Sequence, residues 1–436
     1  MPKAPKAPLS ALFAINKPTG TPSMTLLNRL QPLFAASAIF RDPDADAAKD
    51  KGNQRGGGRR GRGRRGATKV KMGQGGTLDP LADGVLVVGT NAATKHLSRF
   101  LDCTKEYRAI GLLGCSTDSY DSEGKRVRTV PGAHALSRAD VEAVLDRFRG
   151  EIVQTPPIFS ALKMDGKPLY EYARTHTPLP RPIPPRTVTV HSLELLRFVP
   201  GDEHAYDYPA EELDDAARSE LERLEKMVKE GRTEVPSEEE VAAASSAPAE
   251  PAPPAESAPE APEASASSAS FSARPSPLPL NTDTSPLTRL LRSSAAADAT
   301  TPAAAPPAPA RAPIFEIRLT VSSGTYIRSI VHDIGAALGS AAHVVKLTRT
   351  RQGEFALEPP PPAGVDAEGE GEGKGGAGCI EWALLERAIA AQERASKKKQ
   401  EGAAAGEGGQ EGQEGERDAD GWLEWERELL AKCKEV

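Results

Sequence analysis

The stretch "KMGQGGTLDPLADGVLVVGT", Lys71 to Thr90, runs from a glycine-rich loop through one aspartate into an apolar run. Gly75-Gly76 loosens the backbone and Pro80 fixes the dihedral after Asp79. "GVLVVGT" (84–90) has the composition of a strand. A glycine-rich loop beside a strand first suggests a phosphate cradle. However, "GQGGTLD" lacks the GK[ST] ending of a P-loop, and it precedes its strand instead of following one and opening a helix. The plainer reading is a tight turn in which Asp79 caps a neighbouring group. Taken alone, the stretch leaves both readings open.

Upstream, "ALFAINKP" reads as a short strand, and "SMTLLNRLQPLF" has helical spacing at Met24, Leu27, Leu30 and Phe34. Downstream, "NAATKHLSRFLD" (91–102) reads as a helix with Asn91 as cap, and "KEYRAIGLLG" (105–114) as a strand. "GCSTDSYDSEGK" reads as a loop. "SRADVEAVLDRFRG" (137–150) reads as a helix capped by Ser137 and stopped by Gly150, with Val141, Val144, Leu145 and Phe148 on one face. "LYEYART" is a further short helix, and the alternating "RTVTVHSLELLRFV" (186–199) is a strand. After residue 312, a strand to about Ser322, a helix beyond Gly324-Thr325 and one or two strands in 343–357 are expected. Strands and helices mix without a βαβ rhythm. An α+β domain follows, with a central mixed, mostly antiparallel sheet flanked by helices.

The 436 residues include only 38% hydrophobic and 5% aromatic residues, with 39 glycines and 39 prolines, so much of the chain cannot bury a core. The expected division is 9–41 as the first part of the domain and 42–68 as a disordered Arg/Gly insertion. Residues 69–200 are the core, 201–312 an acidic then Ala/Pro/Ser-rich insertion, 313–358 the last part, and 359–436 a mostly disordered Gly/Glu-rich tail with short helices. Placed between two strands, the long insertion costs little more loop-closure entropy than a short one.

The net charge of −6 hides segregation, because Lys51–Lys71 holds nine basic residues and no acid. Such an arm attracts polyanions within a screening length of about 8–10 Å. The four cysteines, Cys103, Cys115, Cys379 and Cys433, show no CxxC pair and no metal spacing, which suits thiols in a reducing compartment. No run reaches the about 18 apolar residues of a membrane span, and no signal peptide is visible. The first acid is Asp42, so the N-terminus suits a mitochondrial transit segment, while the Arg/Gly run suits a nuclear signal. Nucleus, mitochondrion or both are expected, with the cytoplasm open.

Further chemistry-bearing stretches are weak one by one. In "GTYIRSI", Tyr326 and Arg328 sit at a strand–helix junction, against the bland alternative of a solvated arginine. Tyr107 opens a strand in "KEYRA", where an edge aromatic would look the same. "PPIFSALKMDGKPLYEYAR" mixes Pro, aromatic and Lys residues like a nucleic-acid loop, or like a surface turn. In order and separation, though, "INKPTGTPS", "GTLDPLADGVL", "KEYRA", "PPIFSALKMDGKPLYEYAR" and "SSGTYIRSIVHDIG…AHVVKLTR" together resemble the TruB-type tRNA pseudouridine synthases. "KVKMGQGGTLDP" and the long low-complexity insertions resemble the eukaryotic, fungal-like branch.

The resemblance implies a pseudouridine synthase fold and an isomerase acting on uridine 55 of the tRNA T-loop, without metal or cofactor. Asp79 would be the catalytic aspartate for glycosidic cleavage and reattachment through carbon. Attack on C1′, stabilisation of a cationic sugar and proton abstraction all remain open. By the same resemblance, Arg328 pairs with Asp79, Tyr107 stacks on the flipped base, and Tyr326 and Leu347 line the pocket. Lys163 and Lys167 lie near RNA phosphates. Lys17 with Pro18 supports the pocket on the RNA-binding side. Gln74 stands where bacterial members carry a histidine that helps to open the T-loop. A C-terminal PUA domain is expected to be absent, and the chain is expected to be a monomer. The competing reading is a catalytically inactive tRNA-binding or folding chaperone that uses the same cleft. A nucleotide-binding enzyme is disfavoured by the missing P-loop lysine.

Overall fold

The computed structural model describes residues 8–40, 69–175, 177, 179–219, 221, 311–358, 378–405 and 417–436. The expected insertion 42–68, most of 201–312 and residues 359–377 lie outside the described residues. The first strands are β1 (Ala11–Lys17), β2 (Met72–Gln74) and β3 (Asp83–Thr90), followed by β4 (Lys105–Leu113), β5 (Cys115–Thr117) and β6 (Arg126–Thr129). Next come β7 (Gly150–Gln154), the short hairpin β8 (Lys163–Met164) and β9 (Lys167–Pro168), and the long β10 (Arg186–Val199) and β11 (Ile314–Val321). β12 (Ala342–Gln352), β13 (Phe355–Ala356), β14 (Cys379–Glu381) and β15 (Lys434–Glu435) complete the strands. The helices are α1 (Ser23–Ala36), α2 (Ser98–Asp102), α3 (Arg138–Leu145), α4 (Leu169–Arg174), α5 (Ile327–Ala337), α6 (Trp382–Ala405) and α7 (Glu424–Lys432).

One sheet runs β14-β1-β3-β12-β4-β11-β10-β7, with β2 on β3, β13 on β12 and β15 on β1. Only β1/β14 and β3/β12 are parallel, so the sheet is mixed and mostly antiparallel, as the element pattern implied. β10 and β11 are antiparallel neighbours, Val199 opposite Ile314, so the long 201–312 insertion leaves and re-enters at adjacent positions.

Apolar faces decide the layers. On one side of β4, β10, β11 and β12, residues such as Tyr107, Ala109, Leu319 and Leu347 pack with Ile327, Ile330 and Ile334 of α5 and with Val141 and Leu145 of α3. Beside this core, Phe13 of β1 and Leu26, Leu30 and Phe34 of α1 pack with Ile380, Leu385 and Trp425 from the C-terminal segment. Phe34 stacks on Phe40 and Trp425, with centroids 4.5 and 5.6 Å apart.

Several expectations need correction. Met24 is exposed; the buried face of α1 is Leu26, Leu27, Leu30, Leu33 and Phe34. The span 91–102 is a 3₁₀ segment followed by the short α2, and Asn91 does not cap it. Asn91 sits at φ 48, and its side chain donates to the Leu9 carbonyl at 2.9 Å. The helix after Ser137 ends at Leu145, leaving Val144 and Phe148 only partly buried, although Ser137 and Asp140 do form a capping box. The tail differs most. Residues 379–381 and 434–435 both pair with β1, and Trp382, Leu385, Trp425 and Leu429 are core residues, so 378–405 and 417–436 belong to the folded unit. The start of the 201–312 insertion is also packed: the Tyr208 hydroxyl donates to the Leu113 carbonyl at 2.9 Å, and Leu213 is buried.

Candidate active site

The loop between β2 and β3 presents Asp79, and its backbone is held on nearly every residue. The Gly75 N–H donates to the Val87 carbonyl at 2.9 Å, and Gln352 Nε2 donates to the Gly75 and Phe100 carbonyls. Arg349, fully buried on β12, donates to the carbonyls of Val85 (2.7 Å), Gly76 (3.3 Å) and Thr77 (3.5 Å). The Ser23 hydroxyl bonds both the carbonyl and the N–H of Leu78, at 2.9 and 3.1 Å. Thr19 Oγ1 donates to the Leu81 carbonyl at 2.6 Å. The two glycines have different reasons to be there. A Cβ on Gly75 would meet Phe100 at 2.7 Å, and Gly76 sits at φ 125, closed to most side chains. Gly75 therefore serves protein packing.

Lys17 stands at the pocket as a support but does not face the RNA. It is fully buried, so it offers no surface to RNA phosphates; its ammonium donates to the carbonyls of Pro18 (2.8 Å) and Pro80 (3.2 Å), directly behind Asp79. Burial lowers its pKa to about 8, against the opposing pull of Asp83 and Asp79.

Asp79 keeps about a third of its side chain exposed, while Arg328 is almost entirely buried at the start of α5. Arg328 Nε donates to Asp79 Oδ2 at 2.8 Å. Its two other nitrogens donate to the carbonyls of Ser119 (2.6 Å) and Phe159 (2.8 Å). A second carboxylate, Asp121 Oδ2, lies 3.4 Å from Nη1. The aspartate that looked solitary in sequence thus shares its arginine with a buried partner. Burial raises the Asp121 pKa to about 6, although Arg328 and the Ser119 hydroxyl pull the other way. Burial also works against the Arg328 charge, but Asp79 and Asp121 outweigh it and its pKa moves up.

Tyr107 and Leu347, both nearly buried, share one apolar cluster with Leu78, Ala82 and Ile327, immediately beside Asp79 and Arg328 in the chain. Tyr326 precedes α5. Its N–H donates to Gln154 Oε1 at 2.7 Å and its carbonyl accepts from Gln154 Nε2 at 2.9 Å, and the Arg186 guanidinium lies 5.9 Å from its ring. Gln74 ends β2 and donates to Thr77 Oγ1 at 3.1 Å, inside the same loop. Lys163 is exposed on β8. Lys167, on β9, lies 4.6 Å from the Tyr172 ring and donates to Thr175 Oγ1. This hairpin is built on its own small core of Met164, Leu169, Tyr172 and Ile183, but the segment leading to it touches the site through Phe159.

Residues 64–207 match the model of the TruB family pseudouridylate synthase N-terminal domain. The tRNA pseudouridine synthase 4 of Schizosaccharomyces pombe is 39% identical over 350 residues, covering 80% of this chain and 79% of that one. The chain belongs to the TruB family. The tRNA pseudouridine synthase 4 of Saccharomyces cerevisiae is 34% identical over 364 residues, covering 80% and 78%. The mouse pseudouridylate synthase TRUB1 is 40% identical over 192 residues, 44% of this chain and 51% of its own. A crystal structure of a Cbf5-Nop10-Gar1 complex overlays at TM-score 0.35 and 18% identity, covering 80% of this chain and 50% of that one.

In this TruB-family chain, the sequence reading missed Asp121, Ser119, Phe159, Gln154, Arg349 and Gln352. "STDSYDSEG" did carry a signal: a buried arginine demands more acceptors than one carboxylate supplies, and that loop offers two aspartates. Chemically, the arrangement holds one half-open carboxylate, Asp79, beside a buried cation that a second, buried carboxylate also faces. It can place negative charge against an electron-poor carbon while a planar ring sits nearby. Among the described residues no group of three or more His, Cys, Asp or Glu could hold a metal ion. No helix there is long and apolar enough to cross a membrane.

Proposed function

We propose that the protein is a tRNA pseudouridine synthase that converts uridine 55 of the T-loop into pseudouridine. The observation that carries the reading is the buried Arg328 guanidinium 2.8 Å from the half-open Asp79 carboxylate, in a chain of the TruB family. Asp79 acts at the ribose, by attack on C1′, by stabilising the cationic sugar or by taking a proton, while the C1′–N1 bond breaks; the uracil turns and rejoins the sugar through C5, which loses its proton as N1 gains one. The arginine aims the carboxylate and sets a positive charge beside it, so no second catalytic carboxylate is required at the sugar. Tyr107, Leu347 and Tyr326 hold the extruded base, at an unstacking cost of a few kcal/mol. Lys163 and Lys167 lie at the RNA backbone, and Gln74 stabilises the loop that meets the T-loop. The enzyme works as a monomer in the nucleus, the mitochondrion or both.

The test is an unmodified tRNA transcript incubated with purified protein and mapped for pseudouridine, with Asp79→Asn alongside. Product at position 55 from the wild type alone is expected. Tight binding without product would replace the enzyme by a tRNA-folding chaperone.

A further inference from the structure

Tyr120 is one of three non-glycine residues among those described with positive φ, at 62°. It sits between Ser119, whose carbonyl accepts from Arg328, and Asp121, whose carboxylate lies 3.4 Å from the same guanidinium. A left-handed backbone at a tyrosine is unfavourable and persists only where the surroundings impose it. Three contacts impose it here. The Tyr120 N–H donates to the Thr117 carbonyl at 3.2 Å, and its carbonyl accepts from the Val344 N–H at 3.0 Å. Its ring stacks on His332, with centroids 4.0 Å apart and planes at 19°. His332 lies on α5 one turn after Arg328, so the stack ties the acceptor loop to the helix that carries the arginine.

We propose that Tyr120, through its stack on His332, is a positioning residue that fixes the Ser119 carbonyl and the Asp121 carboxylate against Arg328 and so aims Asp79. The bend at residue 120 turns the Ser119 carbonyl and the Asp121 side chain toward the same guanidinium. Both backbone bonds of Tyr120 would survive loss of its ring. The ring therefore adds one thing the backbone does not: it locks the loop against α5. The inference rests on the isomerase reading above.

Glycine adopts φ 62 freely, so Tyr120→Gly keeps the bend and removes the stack. Steady-state pseudouridine formation on an unmodified tRNA transcript is measured for the wild type, Tyr120→Gly and Tyr120→Phe, together with each protein's Tm. The expected result is a kcat lower by about tenfold or more in Tyr120→Gly, because small misplacements of catalytic groups are costly. KM should stay within roughly twofold, since the substrate surface is untouched. Tyr120→Phe should restore kcat. Wild-type kcat in Tyr120→Gly would overturn the proposal. A parallel fall of kcat, affinity and Tm would also overturn it, by reducing the stack to a scaffold contact. A wild type that forms no pseudouridine defeats the isomerase reading and this inference with it, and the wild-type reaction alone identifies that outcome.

Discussion

At the residue scale, the site is organised by one buried cation and the acceptors it collects. Asp79 and Arg328 were legible in sequence through the resemblance their motifs carry together, since the Gly-Gly-Thr-Leu-Asp-Pro turn and the Gly-Thr-Tyr-Ile-Arg junction are each weak alone. Asp121 was legible only through the acceptors a buried Arg328 needs, because an aspartate between Tyr and Ser has by itself the same local signature in any surface turn. Its burial comes from residues far along the chain. That burial makes a thermodynamic prediction. The folded pKa of Asp121, about 6, lies above the roughly 3.9 of an exposed aspartate. The folded state therefore binds this proton more readily than the unfolded state does. The stabilising contribution is fully present below about pH 4 and is lost as the pH rises through about 6. Asp121→Asn carries no such titration. Its Tm, measured between pH 4 and 7, should decline less with rising pH than that of the wild type. Parallel Tm curves would sink this account.

At the element scale, long periodic segments announced themselves and short ones did not. β10, β11 and α5 each present a repeating apolar face, and all three fall where the pattern put them. β14 and β15 are three and two residues long, too short for any periodicity, and they lie on either side of a Gly/Glu-rich stretch. Only pairing with β1 makes them strands, and Trp425 finds its surface in Phe34 of α1 and the cluster around it. The tail is therefore a tertiary fact that no local window contains. Trp425, 2% exposed and stacked on Phe34, tests how firmly it is integrated. If the C-terminal segment is part of the core, Trp425→Ala should cost about 3–5 kcal/mol in urea unfolding, the usual range for a buried aromatic. A loss within about 0.5 kcal/mol would be that of a surface substitution and would mean a loosely held tail.

At the scale of the whole molecule, charge distribution matters more than net charge. The chain is acidic overall at −6, yet nine basic residues crowd between Lys51 and Lys71 without an acid. That arm joins the loop bearing Asp79 through Lys69, Val70 and Lys71, and Val70 is buried, its carbonyl accepting from Gln31 at 2.6 Å. The point of attachment is thus fixed to the folded unit a few residues from the site. A polyanionic substrate would meet the local field of the arm well before it felt the distributed acids, because salt screens beyond about 8–10 Å. Each phosphate that the arm neutralises releases counterions and steepens the dependence of affinity on salt, by roughly 0.7–0.9 in the log–log slope. Deleting residues 45–66 should therefore weaken tRNA binding at low salt and flatten that slope. The rate at saturating tRNA should stay unchanged, because no group that holds Asp79 or Arg328 is removed. Titrations of the full chain and the deletion at several salt concentrations read both quantities, and coincident slopes would place the arm away from the RNA.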